Sequence, residues 1–392
     1  MEKRHDVVVI GAGISGCLTA LGLQKAGFKV LLLEKNKEVG CPFKKIDVTE
    51  EIGLDNIMRK YKIKPLLKTN VSFWHAGKEC FKYKSRIADL YFLRGKVENS
   101  LERQLFRQAI DAGSEIIFSA NVQIKGKEIK VGKNRVLPKV IVGADGTDSM
   151  VTNYCFSDEK RKIIEGYGES YKSLDIPIGE THIFFDQTHL PGGYVYLCRS
   201  PSLATVVLGG RKGADSVRLK LLKKVNPELN QMIGERTGTK IKGKGVLSNL
   251  NNRVYKNIIL VGDAARVSDP LFLYGVRPAL ISGDCAVEAI VNYLENGYDL
   301  GCYNALLKSR LLRGYFLAKF IRKVFERIDD TELQYIIRLL DKVDRTLNLD
   351  DVTARPANII KIFILSLQDE PFKTVKLCVR VIRSLFDILI SM

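Results

Sequence analysis

The run Val7-Val8-Val9-Ile10 leading into Gly11-Ala12-Gly13-Ile14-Ser15-Gly16 constrains this chain more than any other stretch. An apolar strand enters a glycine loop, an amphipathic helical pattern follows, and a second apolar run, Val30 to Leu33, ends on Glu34. Each part has a physical task. Gly11 permits the tight turn, Gly13 lets backbone approach a pyrophosphate, and Gly16 lets the helix pack closely on the strand. The helix N-terminus, from Ala12 through Ile14 and Ser15, then offers free N–H groups to an anion. Glu34 and the adjoining Lys35 stand where the ribose of a dinucleotide is met, Glu34 as acceptor of a hydroxyl. Strand, loop, helix, strand and acid fall in register, so the segment predicts a dinucleotide-binding βαβ unit.

Length and charge bound the rest. The 392 residues exceed one such unit and predict two or more domains. Hydrophobic residues make up 46% of the chain, enough for a proper core. Lys and Arg number 62 against 44 Asp and Glu, a formal charge of +18 that points to an anionic partner. Nucleic acid is not expected, because zinc-type Cys/His spacing, aromatic RNA-binding motifs and a dense basic tail are all missing. No metal site is expected either. Eight unpaired-looking cysteines and a first strand almost at Met1, with no leader before it, predict a reduced, cytoplasmic monomer. Every apolar run is broken by charge before the ~18 residues a membrane span needs, so any membrane contact is expected at the surface.

After Val39 comes a polar stretch, Gly40 to Lys45, that contains Cys41. Alternation over 71–93 predicts a hairpin turning near Ala76-Gly77. Arg94 is expected to open a helix through Glu98, Leu101, Leu105 and Ala109, closed by Gly113. Residues 163–210 read as strand-rich, a change from βαβ alternation to an antiparallel sheet. At Ile258 an apolar strand returns and ends in Gly262-Asp263, and from about 300 the pattern is helical and amphipathic.

The ordered set Gly-Ala-Gly at 11–13, Arg94 before Glu98, Gly-Ala-Asp-Gly at 143–146 and Gly-Asp-Ala-Ala at 262–265 resembles the flavoproteins with the fold of p-hydroxybenzoate hydroxylase. The resemblance spans roughly residues 6–290 and implies one FAD bound extended. Gly11, Gly13 and Gly16 would meet its pyrophosphate, Glu34 its adenosine ribose, and main chain at Val122 its adenine. Asp263 would accept from the ribityl hydroxyls, Arg94 would help hold the pyrophosphate side, and Asp145, Gly262, Gly275 and Val276 would adjoin the cofactor.

Within that fold, Pro191-Gly192-Gly193-Tyr194-Val195-Tyr196 resembles the PxxYxW motif of archaeal geranylgeranyl reductases, with Tyr196 in place of Trp. Alternation puts Tyr194 and Tyr196 on one strand face, where both rings can line a wall for a prenyl chain. The family's Pro-x-x-Gly-x-Gly departs here to Pro270-Leu271-Phe272-Leu273-Tyr274-Gly275. Phe272 and Tyr274 are therefore expected to shape an apolar substrate pocket. Arg266 stands where aromatic hydroxylases carry His, which favours reduction over oxygen chemistry.

The expected fold is α/β: a Rossmann-like FAD-binding domain (1–70, 94–155 and 245–300), an inserted antiparallel-sheet substrate domain (71–93 and 156–244) and a C-terminal helical region (301–392). The expected activity is FAD-dependent reduction of prenyl C=C bonds in isoprenoid membrane lipids. Hydride would come from the flavin, and Cys41 or Tyr194 would supply the proton. The alternatives are a flavin monooxygenase on an apolar substrate and a non-catalytic flavin- or lipid-binding protein. With one dinucleotide motif, electrons are expected from transient NAD(P)H or a ferredoxin-like donor. Basic residues from Lys308 to Arg327 and from Lys373 to Arg383 suggest a peripheral anionic membrane surface, with Arg211 and Lys212 as phosphate ligands.

Overall fold

The computed structural model describes residues 5–157, 162–210, 214–247, 251–347 and 370–390. It divides into two compact units, one of residues 1–66, 90–163 and 244–315, the other of residues 67–89, 164–243 and 316–392. Residues 301–392 do not form a region of their own. Tyr303 and Leu307, on the inner face of an amphipathic helix, bury in the core of the first unit, while residues from 316 onward group with the second.

The first unit is built on the βαβ unit read from the sequence: β1 (Val7–Ile10), α1 (Ile14–Lys25) and β2 (Val30–Leu33). β3 (Lys45–Glu50) and α2 (Asp55–Lys60) follow. The chain then gives two long strands, β4 (Leu67–Ala76) and β5 (Glu79–Arg94), that turn at Gly77-Lys78 as the alternation predicts. Arg94 therefore ends a strand, and the helix expected from it starts only at α3 (Leu101–Asp111). The apolar spacing of Leu101, Leu105 and Ala109 is helical, but Gly95 at φ +118 breaks any helix reaching back to Arg94.

Next come β6 (Glu115–Ile117), the antiparallel meander β7 (Val122–Lys125), β8 (Glu128–Val131) and β9 (Asn134–Val136), then β10 (Val140–Gly143) and α4 (Met150–Cys155). The second unit contributes β11 (Lys162–Tyr171), β12 (Thr181–Phe185), β13 (Tyr194–Arg199), β14 (Ala204–Gly210), α5 (Ser216–Val225), α6 (Pro227–Ile233) and β15 (Thr239–Leu247). The first unit closes with β16 (Val254–Tyr255), β17 (Ile258–Leu260), α7 (Val276–Asn296) and α8 (Cys302–Arg310). Among the described residues, three helices follow: α9 (Tyr315–Phe325), α10 (Asp330–Leu347) and α11 (Pro371–Ile390).

The main sheet of the first unit has the order β16-β17-β10-β1-β2-β6, parallel except for the β16–β17 pair. Its four central strands, β17, β10, β1 and β2, are buried on both faces and read as nearly continuous Val, Ile and Leu runs, as a covered parallel sheet requires. In the second unit the strands run β15-β11-β14-β13-β12-β4-β5. This sheet is mixed where an antiparallel one was expected, because β12 lies parallel to β4. Strands so distant in sequence are joined by a long excursion, and nothing obliges them to turn back as a hairpin does. α5 and α6 bury Leu219, Leu222, Leu229 and Ile233 against Phe184, Val195, Leu197 and Leu208 on one face of it.

Candidate cofactor and substrate sites

At the end of β1 the chain makes a turn open only to glycine. Gly11 has φ +106, and a Cβ there would lie 2.3 Å from the Ala144 carbonyl oxygen. A Cβ on Gly16 would lie 2.0 Å from the Gly11 oxygen, so helix and loop touch through hydrogen alone. Around Gly13, by contrast, a Cβ would meet nothing within 4 Å. α1 begins at that opening, and no side chain caps it. Its first N–H groups, at Ile14, Ser15 and Gly16, therefore border a space suited to an anion.

Glu34 is buried. Its Oε2 accepts from the Ala12 N–H at 2.9 Å, and its Oε1 accepts from the Asn36 backbone N–H at 2.9 Å and Nδ2 at 2.6 Å. Lys35 is exposed, and Val122 opens the meander with its side chain packed on the first unit's core.

Asp263 lies in a short 3-10 turn, Gly262–Ala265, and the α-helix that follows begins only at Val276. Its Oδ1 accepts from Ser268 Oγ at 2.9 Å and its Oδ2 from Thr147 Oγ1 at 3.4 Å. A Cβ on Gly275 would stand 3.2 Å from Asp263 Oδ1, so the glycine keeps that oxygen accessible. Asp145 faces a different duty. It accepts from Ser149 Oγ at 2.5 Å and from the N–H groups of Met150 at 2.7 Å and Val151 at 3.2 Å, holding the start of α4.

The segment Pro270–Gly275 is a closed loop. Asp269 Oδ1 accepts from the N–H groups of Leu271 at 2.9 Å and Phe272 at 2.7 Å, and the Asp269 N–H donates to the Tyr274 carbonyl at 3.0 Å. Burial pushes the Asp269 carboxyl up to about 6 against those two donors. Leu273 has φ +62, the left-handed backbone that glycine adopts freely. Tyr274 donates its hydroxyl to Glu50 Oε2 at 3.3 Å, while Phe272 is half-buried.

Cys41 is fixed by two interlocked glycines. A Cβ on Gly40 would be 2.6 Å from the Gly95 oxygen, and one on Gly95 would be 2.8 Å from the Phe43 oxygen. Between them the Cys41 thiol donates to the Phe43 carbonyl at 3.0 Å. Burial pushes that thiol up, and the nearby Arg94 charge pulls against it without prevailing, so it stays protonated at neutral pH. Arg94 donates Nε to Glu102 at 2.8 Å and Nη1 to Asp47 at 2.5 Å. Burial acts against the Asp47 charge, but Lys45 and Arg94 outweigh it and hold that carboxyl below its ordinary value. The guanidinium expected at the pyrophosphate is thus spoken for at two of its three nitrogens.

In the second unit, Tyr194 and Tyr196 do share a strand face, with ring centroids 6.4 Å apart. Register places Trp74, Ile183, Tyr196 and Val207 in one row across that face. Trp74 lies 6.3 Å from Phe185, which lies 5.5 Å from Phe325 of α9, and 6.0 Å from Tyr83. Trp74, Phe185 and Phe325 escaped the sequence reading, because strand register brings the first two to the face of Tyr196 and α9 brings Phe325 against Phe185. Pro191 is exposed at the head of the same loop.

The chain is similar to known proteins along most of its length. Residues 6–42 match the family model described as FAD dependent oxidoreductase. Digeranylgeranylglycerophospholipid reductase 2 of Methanopyrus kandleri is 26% identical over 364 residues, covering 86% of this chain and 91% of its own. Digeranylgeranylglycerophospholipid reductase of Methanospirillum hungatei is 27% identical over 406 residues, covering 92% and 97%. Among solved structures, a geranylgeranyl bacteriochlorophyll reductase-like protein from Thermoplasma acidophilum superposes with a TM-score of 0.77 at 18% identity, covering 97% of this chain and 100% of that one. A probable FAD-dependent monooxygenase from Pseudomonas aeruginosa superposes at 0.66 and 16% identity, covering 86% and 100%. The fold is that of the FAD-dependent oxidoreductases, and the expectations of an α/β class and of FAD hold.

Proposed function

We propose that this protein reduces carbon–carbon double bonds in prenyl chains of the geranylgeranyl type, carried by isoprenoid membrane lipids. The observation that carries the reading is similarity along nearly the whole chain to digeranylgeranylglycerophospholipid reductases. The aromatic face of Tyr194, Tyr196, Trp74 and Phe185 supports it, since flat apolar rings suit an alkene that offers no polar handle.

When bound, FAD supplies the hydride. The glycine loop and the open N-terminus of α1 fit its pyrophosphate, Glu34 its adenosine ribose, and Asp263 its ribityl hydroxyls. Arg94 acts through Asp47 and Glu102 to set the Cys41 loop. Cys41 holds a proton at Sγ, as an alkene acceptor requires, and Tyr194 is the second proton source. The electron donor is NAD(P)H or a ferredoxin-like protein. Among the described residues no helix is long and apolar enough to cross a membrane. On α9, Phe316, Leu317 and Ile321 are exposed beside Lys319 and Lys323, a composition suited to an anionic bilayer surface. Arg211 and Lys212, the expected phosphate ligands, lie outside the described residues.

Anaerobic turnover with dithionite tests the reading: prenyl lipids should gain two hydrogens per bond by mass spectrometry. Activity only in the presence of O₂ would favour the monooxygenase alternative, and failure of every prenyl lipid to reoxidise the reduced protein would sink the proposal. Cys41→Ala should slow that reoxidation by about 100-fold, the scale of a lost general acid, while leaving FAD content unchanged.

A further inference from the structure

The face of the second unit's sheet opposite Tyr194 and Tyr196 carries a titratable cluster outside the sites described. The parallel register pairs Phe184 with His75 and His182 with Phe73, so both imidazoles project to one face. His75 is 1% exposed. Its Nε2 lies 3.0 Å from His182 Nδ1, and its Nδ1 lies 3.1 Å from Glu228 Oε2 in the first turn of α6. His182 Nε2 in turn lies 3.3 Å from Glu180 Oε2. Each ring is clamped flat: His75 stacks on Phe184 at 4.2 Å and 7°, and His182 on Phe73 at 4.6 Å and 6°.

Three contacts in line need three protons, one each. Two neutral imidazoles bring only two. The third must sit on a carboxyl or make one ring an imidazolium. Burial, with His182 beside it, drives His75 down to about 3; burial lowers His182 as well, against the pull of Glu180. Burial also raises the Glu228 carboxyl. Charged rings are disfavoured, so the three contacts are complete only when Glu228, the outer carboxyl with its side chain 46% exposed, carries the odd proton.

We propose that Glu228, His75, His182 and Glu180 form a single proton-binding site, which holds one proton more than two neutral imidazoles and thereby fastens α6 to β4 and β12. With that proton on Glu228, its O–H donates to His75 Nδ1, His75 Nε2–H donates to His182 Nδ1, and His182 Nε2–H donates to Glu180. Shifting each proton one bond along delivers it to Glu180 and reverses both tautomers, with none gained or lost.

Other groups face the chain. Lys82 Nζ of β5 lies 5.3 Å over the Phe73 ring. Cys80 of β5 has its thiol pushed up to about 11 by burial and then by the charges of Glu228 and Asp341 of α10. Neither replaces the missing proton. Losing it turns an imidazole lone pair toward a carboxylate, and adding another sets two donors face to face. Stability conferred by the chain is therefore bell-shaped in pH.

The test is long-range ¹H–¹⁵N NMR of the full-length, FAD-loaded protein labelled at histidine, a tractable spectrum with four histidines. Both rings should stay neutral, each with an exchange-protected N–H, between about pH 5 and 8. Glu228→Gln supplies a permanent N–H at the same place. It should keep those signals and abolish the part of the alkaline fall in Tm that comes from this chain, whereas Glu228→Ala, which leaves His75 Nδ1 without its donor, should lower Tm at neutral pH as well. A ring that titrates near the ordinary value of about 6.5, or a Glu228→Gln profile that follows wild type at alkaline pH, would overturn the proposal.

Discussion

Leu273 shows how far a single side chain can depart from a pattern while the backbone keeps it. The resembled family has glycine here, and Leu273 retains glycine's left-handed φ of +62, held by its N–H donating to the Asp269 carbonyl at 3.0 Å. An L-residue in that region costs about 1–2 kcal/mol. Leu273→Gly should therefore be at least as stable as wild type by thermal denaturation of the FAD-loaded protein. Leu273→Ile, β-branched and less tolerant of that φ, should lose about 1 kcal/mol or more.

Beside it, Asp269 has a carboxyl raised to about 6 in the folded chain against an ordinary 3.8. A group raised on folding contributes stability in its protonated form. That contribution is full below the unfolded value and lost as pH rises through the folded one. Asp269→Asn keeps an oxygen for the Leu271 and Phe272 N–H groups, so the Tm difference between mutant and wild type should grow in the mutant's favour between about pH 4 and 6. The loop's departure was legible in the sequence, since Leu273 and Tyr274 stand out against small residues. Its conformation was not, because hydrogen bonds from Asp269 set it.

At the scale of elements, the βαβ start was readable because every part of it is local: an apolar run, a glycine turn, a helical period, a second run. Arg94 misled for the same reason. Its spacing to Leu101 and Ala109 fits a helix, but β5 runs on as a 16-residue strand to residue 94. The parallel β4–β12 pair was hidden likewise, since register between segments a hundred residues apart leaves no local trace. Where local chemistry does decide, its worth can be measured. Asn226 caps α6 by accepting from the Leu229 N–H at 2.9 Å, with Pro227 in the first turn. Asn226→Ala should cost about 1 kcal/mol in denaturant unfolding.

For the whole molecule, the charge of +18 is distributed differently from what the sequence suggested. Cations of α11 are matched by acids: Lys376 pairs with Asp329 at 3.0 Å, Arg380 with Glu332 at 2.9 Å, and Lys373 with Glu370 at 2.6 Å. Neutralising Lys376 and Arg380 should therefore lower Tm slightly and leave recruitment to anionic vesicles unchanged, whereas Phe316→Ser with Leu317→Ser should weaken it in cosedimentation. Periodicity revealed the amphipathic helices but not which acids their basic residues would meet. Alkaline behaviour is also a property of the whole chain. Burial, foremost, pushes Cys80 up to about 11 and Cys155 and Cys285 up to about 12. Above about pH 9 the unfolded thiols ionise while the folded ones hold their protons, so Tm should fall steadily toward pH 11.

Glu34 gives the glycine loop a history as well as a shape. The carboxylate that would receive the cofactor's ribose also grips the Ala12 amide, so one acid serves both the nucleotide and the turn. A lineage drifting toward a phosphorylated ribose would have to trade this acid for a cation. In doing so it would release the loop in the same step, and nucleotide preference here can change only together with the turn that serves it.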